Sequence, residues 1–255
     1  MDAKGQTARV EGYRPSTYGD GFADVYDAWY ADLGDSEAAT SRVVELADGG
    51  DVLELGVGTG RLAVPIAISD LRVVGLDSSM PMLDRFVARV PDTKSAHGVR
   101  ADMACLPFAS ASFSVVLAAY NVMFNLPDRD SQARCMHDVR HVLRSGGAFL
   151  VETFVPVVDD EPRNGIEVRA VTIDSVLLTA AQLEPSAQTI TGQHVVITES
   201  GVRLRPWFIH YLHLDELDRL ADDAGFVLEH RWAGWRRQRF SDRADTQVSV
   251  YRCDG

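Results

Sequence analysis

The stretch "DVLELGVGTGRLAVPIA", residues 51–67, decides the fold of this chain. It reads as a short apolar strand carrying Glu54, then glycines at every second position (Gly56, Gly58 and Gly60), then an apolar segment with helical spacing. Glycines between a strand and a helix let the backbone turn tightly and approach a ligand closely. We therefore expect a ligand-binding turn at the carboxyl end of a strand.

The segments around this stretch alternate between strand and helix patterns. Aromatic residues at helical spacing predict an N-terminal helix that reaches Leu33, and a second helix is predicted over about 36–47. Five apolar strands are predicted at "DVLELG", "LRVVGLD", the segment up to "VRAD", "FSVVLAA" and "AFLVETF". Between them, one helix is predicted to be capped by Ser78 or Ser79, and another, "DRDSQARCMHDVRHVLRSGG", to be closed by its glycines. This order favours a parallel sheet covered by helices on both faces.

The alternation of strand and helix breaks after Pro156. The following segment is rich in β patterns and turn signals, so we expect an antiparallel insert, after which a helix and two strands complete the main sheet. The predicted organisation is a flexible N-terminus at 1–16, helices at 17–48, a core at 49–156, the β insert at 157–212 and the C-terminal part of the core at 213–255.

Composition and charge exclude several classes of protein. The chain has 255 residues and a formal net charge of −12, and a field of that sign repels phosphate backbones, so we expect no nucleic-acid partner. The cysteines Cys105, Cys135 and Cys253 match neither a disulfide framework nor a zinc site, which is typical of a reducing cytoplasm. No signal-peptide core is present, and no run approaches the roughly 20 apolar residues of a membrane span. The sequence predicts a soluble cytoplasmic protein without a metal.

Three carboxylates stand at predicted strand ends. Dinucleotide-binding turns read G-x-G-x-x-G and hold a pyrophosphate, whereas this turn reads G-x-G-x-G, with Arg61 at the sixth position and Glu54 ahead of the first glycine. A carboxylate there would repel a pyrophosphate but suits an amine. Asp77 can accept the two hydroxyls of a ribose, and Asp102 with Met103 can bind an adenine. Together these residues fit a ligand with an amine, a ribose and an adenine.

The ordered motifs "LELGVGTG", "VVGLD", "RADM" and "LRSGGAFLVE" resemble those of class I S-adenosylmethionine-dependent methyltransferases. The resemblance implies a Rossmann-like α/β fold whose seven-stranded sheet has an antiparallel last strand. It also implies S-adenosyl-L-methionine as cofactor, S-adenosyl-L-homocysteine as product and a lid formed by the helices at 17–48. The cofactor-binding positions that it implies or that adjoin its motifs are Tyr18, Glu54, Gly56, Gly58, Thr59, Gly60, Arg61, Asp77, Ser78, Met82, Asp102, Met103, Ala119 and Asn121.

Candidates for catalysis and acceptor binding lie outside these motifs. Methyl transfer from a sulfonium can rely on proximity and alignment, and a base is needed only for a protonated acceptor. The segment "YDAWY" is similar to the lid helix of small-molecule methyltransferases, including amino-sugar N-methyltransferases, which places Tyr30 at the methyl-transfer region, although these aromatics equally fit a core stripe. His210, followed by His213, is the candidate base, since neutral imidazole accepts protons near pH 7; the alternative is a packed histidine. The candidate substrate-binding residues are Tyr30, Asn121, Phe124, Asn125, Trp207 and Tyr211.

Two asparagines and one basic segment each have two possible interpretations. Asn121 and Asn125 either orient an acceptor or cap the next turn. The basic run "GWRRQRF", residues 234–240, either draws in an anionic acceptor or forms a solvated hairpin.

We therefore expect a cytoplasmic methyltransferase for a small-molecule acceptor of the kind found in natural-product biosynthesis, acting as a monomer or homodimer. The insert would form an acceptor wall or an oligomer contact. Two alternatives stay open: an NAD-dependent oxidoreductase with a Rossmann fold, which Glu54 and the glycine spacing oppose, and a non-catalytic S-adenosylmethionine-binding module. The sequence does not indicate which acceptor is used or which of its atoms is methylated.

Overall fold

The computed structural model describes most of the chain, and the expectations for 1–11 and for Leu33 lie outside the described residues. In the described part, no helix combines the length and apolar character needed to cross a membrane. The structure describes residues 12–31, 34–92, 94–157 and 161–253.

The first part of the chain contains short N-terminal helices and then alternating strands and helices. These elements are α1 (Thr17–Phe22), α2 (Tyr26–Trp29), α3 (Ser36–Ala47), β1 (Val52–Leu55), α4 (Ala63–Ile68), β2 (Val73–Asp77), α5 (Met80–Arg89), β3 (Ala96–Arg100), β4 (Phe113–Ala118), α6 (Arg129–Val142) and β5 (Leu143–Phe154). The second part contributes β6 (Arg163–Val171), β7 (Ser175–Glu184), β8 (Thr189–Thr198), β9 (Gly201–His210), α7 (Leu214–Asp223), β10 (Phe226–Trp232) and β11 (Thr246–Cys253).

The main sheet has seven strands in the order β10-β11-β5-β4-β1-β2-β3. Strand β11 is antiparallel to both of its neighbours, β5 and β10, and the other pairs are parallel. Strands β6 to β9 form a second, fully antiparallel sheet between β5 and α7. The predicted fold, with its antiparallel last strand and its β insert, is confirmed.

Side chains of the central strands alternate between two cores, as the pleat requires. Leu53 of β1 packs in the same core as Val139 of α6, whereas Val52 packs in the core that holds Phe86 of α5. Helices therefore cover both faces of the sheet. The carboxyl ends of β1, β2, β4 and β5 are left open between α1, α2 and the β insert.

The periodicity predicts one continuous N-terminal helix, but the structure has two short helices, α1 and α2. The helix is interrupted between α1 and α2, and the residues between them place Asp24 against Arg205 of β9. Periodicity of apolar residues cannot show such a long-range ion pair, because it reports only which side of a helix is apolar.

The helix α6 also ends earlier than predicted. It stops at Val142, and the following residues join β5, where Leu143 pairs with Phe113 before the register shifts. Gly146 adopts a φ of +71° within this irregular stretch. Gly146 therefore allows the irregular backbone at the start of β5 and does not end a helix.

Candidate active site

A cavity of about 1180 Å³ lies at the carboxyl ends of the central strands. Glu54 of β1, Asp77 of β2 and Glu152 of β5 border it from the main sheet, Tyr18 from α1, and Trp207 from β9 of the insert. Open α/β sheets bind ligands at this edge. The cavity extends from there to the second sheet, so one space connects the two parts of the fold.

The turn after β1 depends on its glycines. Gly56 and Gly58 have φ values of +63° and +55°, a left-handed region that side chains disfavour. A Cβ atom on Gly56 would lie 2.8 Å from the Val122 side chain. Gly60 does not border the cavity: a Cβ there would lie 2.4 Å from Phe86, so this glycine allows close packing of the turn against α5.

Glu54 is the buried carboxylate of the cavity. Only 5% of the residue is exposed, and its Oε2 atom has no hydrogen-bond partner among the described residues. Burial raises the pKa of Glu54 to about 8, although the backbone N–H of Ala63 and the charge of Arg61 act in the opposite direction. An unsatisfied buried acceptor of this kind is costly. Glu54 is therefore suited to a ligand that brings a hydrogen-bond donor.

Asp77 links the end of β2 to the glycine turn. Its Oδ2 accepts a hydrogen bond from the backbone N–H of Gly58 at 2.9 Å, and its Oδ1 accepts one from Ser79 at the same distance. Burial raises its pKa, while the backbone donors of Ser79, Gly58 and Ser78 oppose that shift. Each carboxylate oxygen keeps a further lone pair for a ligand hydroxyl.

Two carboxylates of the N-terminal helices attach them to the rim of the cavity. The hydroxyl of Ser79, the N-cap residue of α5, donates to Asp20 at 2.8 Å. The hydroxyl of Thr59 donates to Asp27 at 2.6 Å, and Arg89 pairs with the same carboxylate at 2.8 Å. These helices, α1 and α2, therefore lie over the glycine turn, and we refer to 17–30 as the lid.

Arg61 connects the glycine turn to the lid and to the loop after β4. Its Nη1 donates to the carbonyl oxygen of Tyr30 at 3.0 Å. Its guanidinium lies 3.9 Å from the ring centre of Tyr120 and 5.9 Å from that of Tyr26, distances typical of cation–π contacts. The positive charge thus stays beside Glu54, whose pKa it lowers in part.

A third lid carboxylate attaches the lid to the insert. Asp24 accepts two hydrogen bonds from the buried Arg205, at 2.6 and 2.9 Å, and pairs with the exposed Arg203 at 2.9 Å. Arg205 also donates to the carbonyl oxygen of Gly21 and lies over the ring of Trp29. The lid is therefore held from both sides of the cavity.

The structure brings most of the predicted site residues together. Those that border the cavity are Tyr18, Tyr30, Glu54, Gly56, Gly58, Thr59, Arg61, Asp77, Ser78, Met82, Asp102, Met103, Ala119, Asn121, Asn125 and Trp207.

His210 requires correction as a candidate base. The residue is 8% exposed and is not among those that border the cavity. Its Nδ1 lies 3.3 Å from the side-chain oxygen of Gln132, and burial lowers its pKa. His213 does not border the cavity either and serves as the N-cap of α7. The sequence shows that an imidazole is present on a predicted strand but cannot show which face of that strand meets the cavity.

Phe124 and Tyr211 require correction as substrate-binding residues. Phe124 is fully buried, Tyr211 is 4% exposed, and both belong to the core beneath α6. Their rings pack on Phe154, at centroid distances of 5.1 and 6.3 Å. Both rings stabilise the core beside the cavity instead of bordering it.

Asn121 has a structural role beside its position at the cavity. Its φ of +66° is left-handed, and its side-chain oxygen accepts a hydrogen bond from the backbone N–H of Phe154 at 2.6 Å. Asn tolerates this backbone region better than most residues. The residue thus joins the loop after β4 to the end of β5.

The basic run at 234–240 is largely neutralised by acidic partners. Arg236 pairs with Asp35 and Arg237 with Glu45, each at 2.5 Å. Trp235 is 3% exposed, and its indole N–H donates to Glu152 at 2.8 Å. This segment therefore closes the cavity with an aromatic residue and is not a free anion-binding patch.

Several residues of the site were missed by sequence reasoning. Glu152 accepts hydrogen bonds from Trp235 and from the backbone of Tyr120, and burial raises its pKa. Its place near the end of an apolar strand, like that of Glu54, was an available signal. His194 and Thr179 border the cavity from the insert, and the sequence carried no signal for them because the register of the β insert was unknown.

Comparison with known proteins was consistent with the sequence motifs. Residues 52–147 match the family described as a methyltransferase domain. The chain is similar to the solved structure of the CcbJ methyltransferase from Streptomyces caelestis, with 38% identity, a TM-score of 0.87, and coverage of 95% of this chain and 100% of that chain.

Two curated relatives match over shorter lengths. The chain is 29% identical over 160 residues to a cypemycin N-terminal methyltransferase of a Streptomyces species, an alignment that covers 62% of this chain and 64% of the relative. It is 35% identical over 151 residues to a probable S-adenosylmethionine-dependent methyltransferase of Mycolicibacterium smegmatis, with 56% of each chain covered. The chain thus spans less than two thirds of the length of either relative.

Proposed function

Because the chain belongs to the class I S-adenosylmethionine-dependent methyltransferases, we propose that its cavity binds this cofactor beside β1 and β2 and a small-molecule methyl acceptor beside the insert. The described residues fit the cofactor, because the unsatisfied Oε2 of Glu54 suits an ammonium group and the glycine turn leaves space that a Cβ would fill. Asp77 would hold the ribose hydroxyls, and Asp102 with Met103 would bind the adenine. S-adenosyl-L-methionine supplies an electrophilic methyl group when it is bound.

The protein's own residues would orient the reactants and exclude water. The lid, held by Ser79, Thr59 and Arg205, covers the glycine turn and restricts access from solvent. Tyr18, whose ring stacks on Phe22 at 4.3 Å, keeps its phenol protonated because burial raises its pKa. A fixed, largely apolar lid supports catalysis by alignment.

The size of the cavity is the observation that carries this proposal. Ligand sites commonly have volumes of about 300–1,000 Å³, and this cavity, at about 1180 Å³, has room for a second molecule beside the cofactor. Trp207 and Thr179 border the cavity from the insert, and Trp235 borders it from the segment between β10 and β11. This supports a small acceptor that binds between the lid and the insert.

The acceptor is not fixed by the family. The names of the relatives include an N-terminal methyltransferase and a demethylmenaquinone methyltransferase, which differ in the group that is methylated. We infer an acceptor of the natural-product type and no nucleic-acid partner, on the basis of the size of the cavity and the net charge of −12. The described cysteines form no disulfide with one another, which supports a cytoplasmic location, and we propose a monomer or homodimer.

An acceptor screen tests this function. Purified protein is incubated with S-adenosyl-L-methionine and a panel of amino sugars, N-terminal peptides, phenols and hydroquinones, and release of S-adenosyl-L-homocysteine is followed by mass spectrometry together with a gain of one methyl group by the acceptor. Turnover of at least one member is expected. Tight cofactor binding without any turnover would favour a non-catalytic binding module, and calorimetric binding of NADH in place of the cofactor would contradict the proposal.

A further inference from the structure

His194 and Thr179 form a hydrogen-bonded pair on the wall of the cavity that the insert provides. They are directly opposite each other in the antiparallel register of β7 and β8. Thr179 Oγ1 lies 2.8 Å from His194 Nδ1, and both residues border the cavity. The pair is therefore built by the sheet itself, which fixes the position of the imidazole.

Aromatic side chains hold the imidazole from three sides. Its ring centre lies 5.5 Å from Phe22, 5.6 Å from Trp29 and 6.1 Å from Trp207. Among the described residues, the second ring nitrogen, Nε2, makes no hydrogen bond. His194 is half-buried, with Nδ1 beside Thr179 and Nε2 without a hydrogen bond to any described residue. His210 differs from it, because His210 packs against Gln132 and does not border the cavity.

The charges that face His194 come from neighbouring strands and from the lid. Burial lowers the pKa of His194 below the usual value, and the charges of Arg169 of β6 and Arg205 of β9 lower it further. Glu167 pairs weakly with Arg169, at 3.9 Å, and Asp24 of the lid neutralises much of the charge of Arg205. The imidazole is therefore neutral at pH 7, with a lone pair available for a proton.

We propose that His194 accepts the proton that the methyl acceptor loses, and that Thr179 is the positioning residue that receives a hydrogen bond from Nδ1. In this step the lone pair of the acceptor nitrogen or oxygen forms a bond to the methyl carbon, the electrons of the carbon–sulfur bond leave with the sulfur, and the acceptor proton passes to Nε2 and then to solvent. The proposal rests on the proposed methyl transfer. It restricts the acceptor to a group that has a proton to lose, such as an amine with an N–H or a hydroxyl, and excludes a thioether, which has no proton to give.

The tautomer of His194 is the first test, and it needs no acceptor. Nitrogen NMR of protein labelled with ¹⁵N-histidine and saturated with S-adenosyl-L-homocysteine reports which ring nitrogen carries the proton, and His194→Asn assigns the signal by its loss. The proposal requires a proton on Nδ1, a bare Nε2 and a titration midpoint below the usual histidine value of about 6.5. A proton on Nε2 at pH 7.5, with Thr179 donating to Nδ1, would overturn it.

Turnover of the acceptor found in the screen is the second test. His194→Asn keeps an amide nitrogen near the position of Nδ1 and removes Nε2, so kcat at pH 7.5 should fall about 100-fold or more, the usual contribution of a general base. The acid limb of the pH profile should be absent from the variant. Thr179→Val should lower kcat to a smaller extent and shift the midpoint of that limb.

Binding controls separate this proposal from the proposed function. Affinity for S-adenosyl-L-homocysteine should stay within twofold in both variants, and His97→Asn, at an exposed position of β3, should leave the rate and pH profile unchanged. If the unsubstituted protein turns over an acceptor while His194→Asn keeps its rate and its acid limb, the role of His194 is refuted and the methyltransferase function stands. Turnover confined to a thioether acceptor would also refute it.

Discussion

The backbone N–H of Gly58 and the Oδ2 atom of Asp77 are joined by a hydrogen bond of 2.9 Å. This bond connects the glycine turn after β1 to the end of β2, so the two motifs form one surface. Asp77 also accepts a hydrogen bond from the backbone N–H of Ser79. The same carboxylate therefore holds the turn in place and is available to a ribose, so its removal should affect both stability and cofactor binding.

Asp77→Ala should weaken binding of S-adenosyl-L-methionine by about 30-fold or more, because the ribose loses charge-assisted hydrogen bonds worth roughly 2 kcal/mol. Calorimetric titration measures this affinity. The melting temperature without ligand should also fall, since Gly58 and Ser79 lose their acceptor. Asp70→Ala is the matched control, because Asp70 is an exposed carboxylate paired with Lys94. Unchanged cofactor affinity in Asp77→Ala would remove the ribose assignment.

Glu54→Gln should lower the affinity for S-adenosyl-L-methionine by roughly 10- to 100-fold, because a hydrogen bond to a charged group contributes about 1.5–3 kcal/mol. In addition, Glu54 is protonated at pH 7 when its pKa is about 8, and an incoming ammonium would favour the ionised form. Binding at pH 7 should therefore release roughly one proton per cofactor. Calorimetry in buffers of different ionisation enthalpy measures this release, which should vanish in Glu54→Gln.

The stability of the ligand-free protein should fall as the pH rises. The folded pKa of Glu54, about 8, exceeds its ordinary value of 4.5, so the folded state holds the proton more tightly than the unfolded state. The resulting stabilisation is complete below pH 4.5 and is lost as the pH rises towards 8. The free energy of unfolding, measured with denaturant at pH 6 and pH 8.5, should decrease less between these two values in Glu54→Gln than in the unsubstituted protein. An equal decrease of the unfolding free energy in both proteins would show that Glu54 is ionised in the ligand-free protein.

Arg205→Lys should loosen the lid. Lysine keeps the charge but cannot make the two parallel hydrogen bonds that Arg205 donates to Asp24. Hydrogen exchange of the amides in 17–30 should accelerate, and S-adenosyl-L-homocysteine should dissociate several-fold faster. Arg203→Ala is the matched control, because Arg203 pairs with the same carboxylate from an exposed position and should have little effect. A larger effect from Arg203→Ala would contradict the role assigned to Arg205.

The sequence predicted the parts of the site that are local in the chain. Glu54 and Asp77 stand at the ends of apolar strands, and parallel strands bring such ends to one edge of the sheet. The glycine spacing likewise predicted a tight turn, in which Gly56 and Gly58 adopt positive φ values. These features depend on periodicity and on residue type, which the sequence contains directly.

The residues of the insert that border the cavity could not be predicted in the same way. They depend on the register of the β insert and on how the second sheet packs against the lid, and both are set by long-range contacts such as Arg205 with Asp24. For this reason the sequence pointed to His210 as the candidate base and gave no indication of His194, although both lie on strands of the same insert.

A crystal structure of the complex with S-adenosyl-L-homocysteine tests the central claim most directly. We expect the ribose hydroxyls on Asp77, the amino group beside Glu54, and the sulfur facing the space between Tyr30 and the insert. The opposite orientation, with the sulfur turned away from the insert or with the ribose away from Asp77, would contradict the proposed placement of donor and acceptor within one cavity.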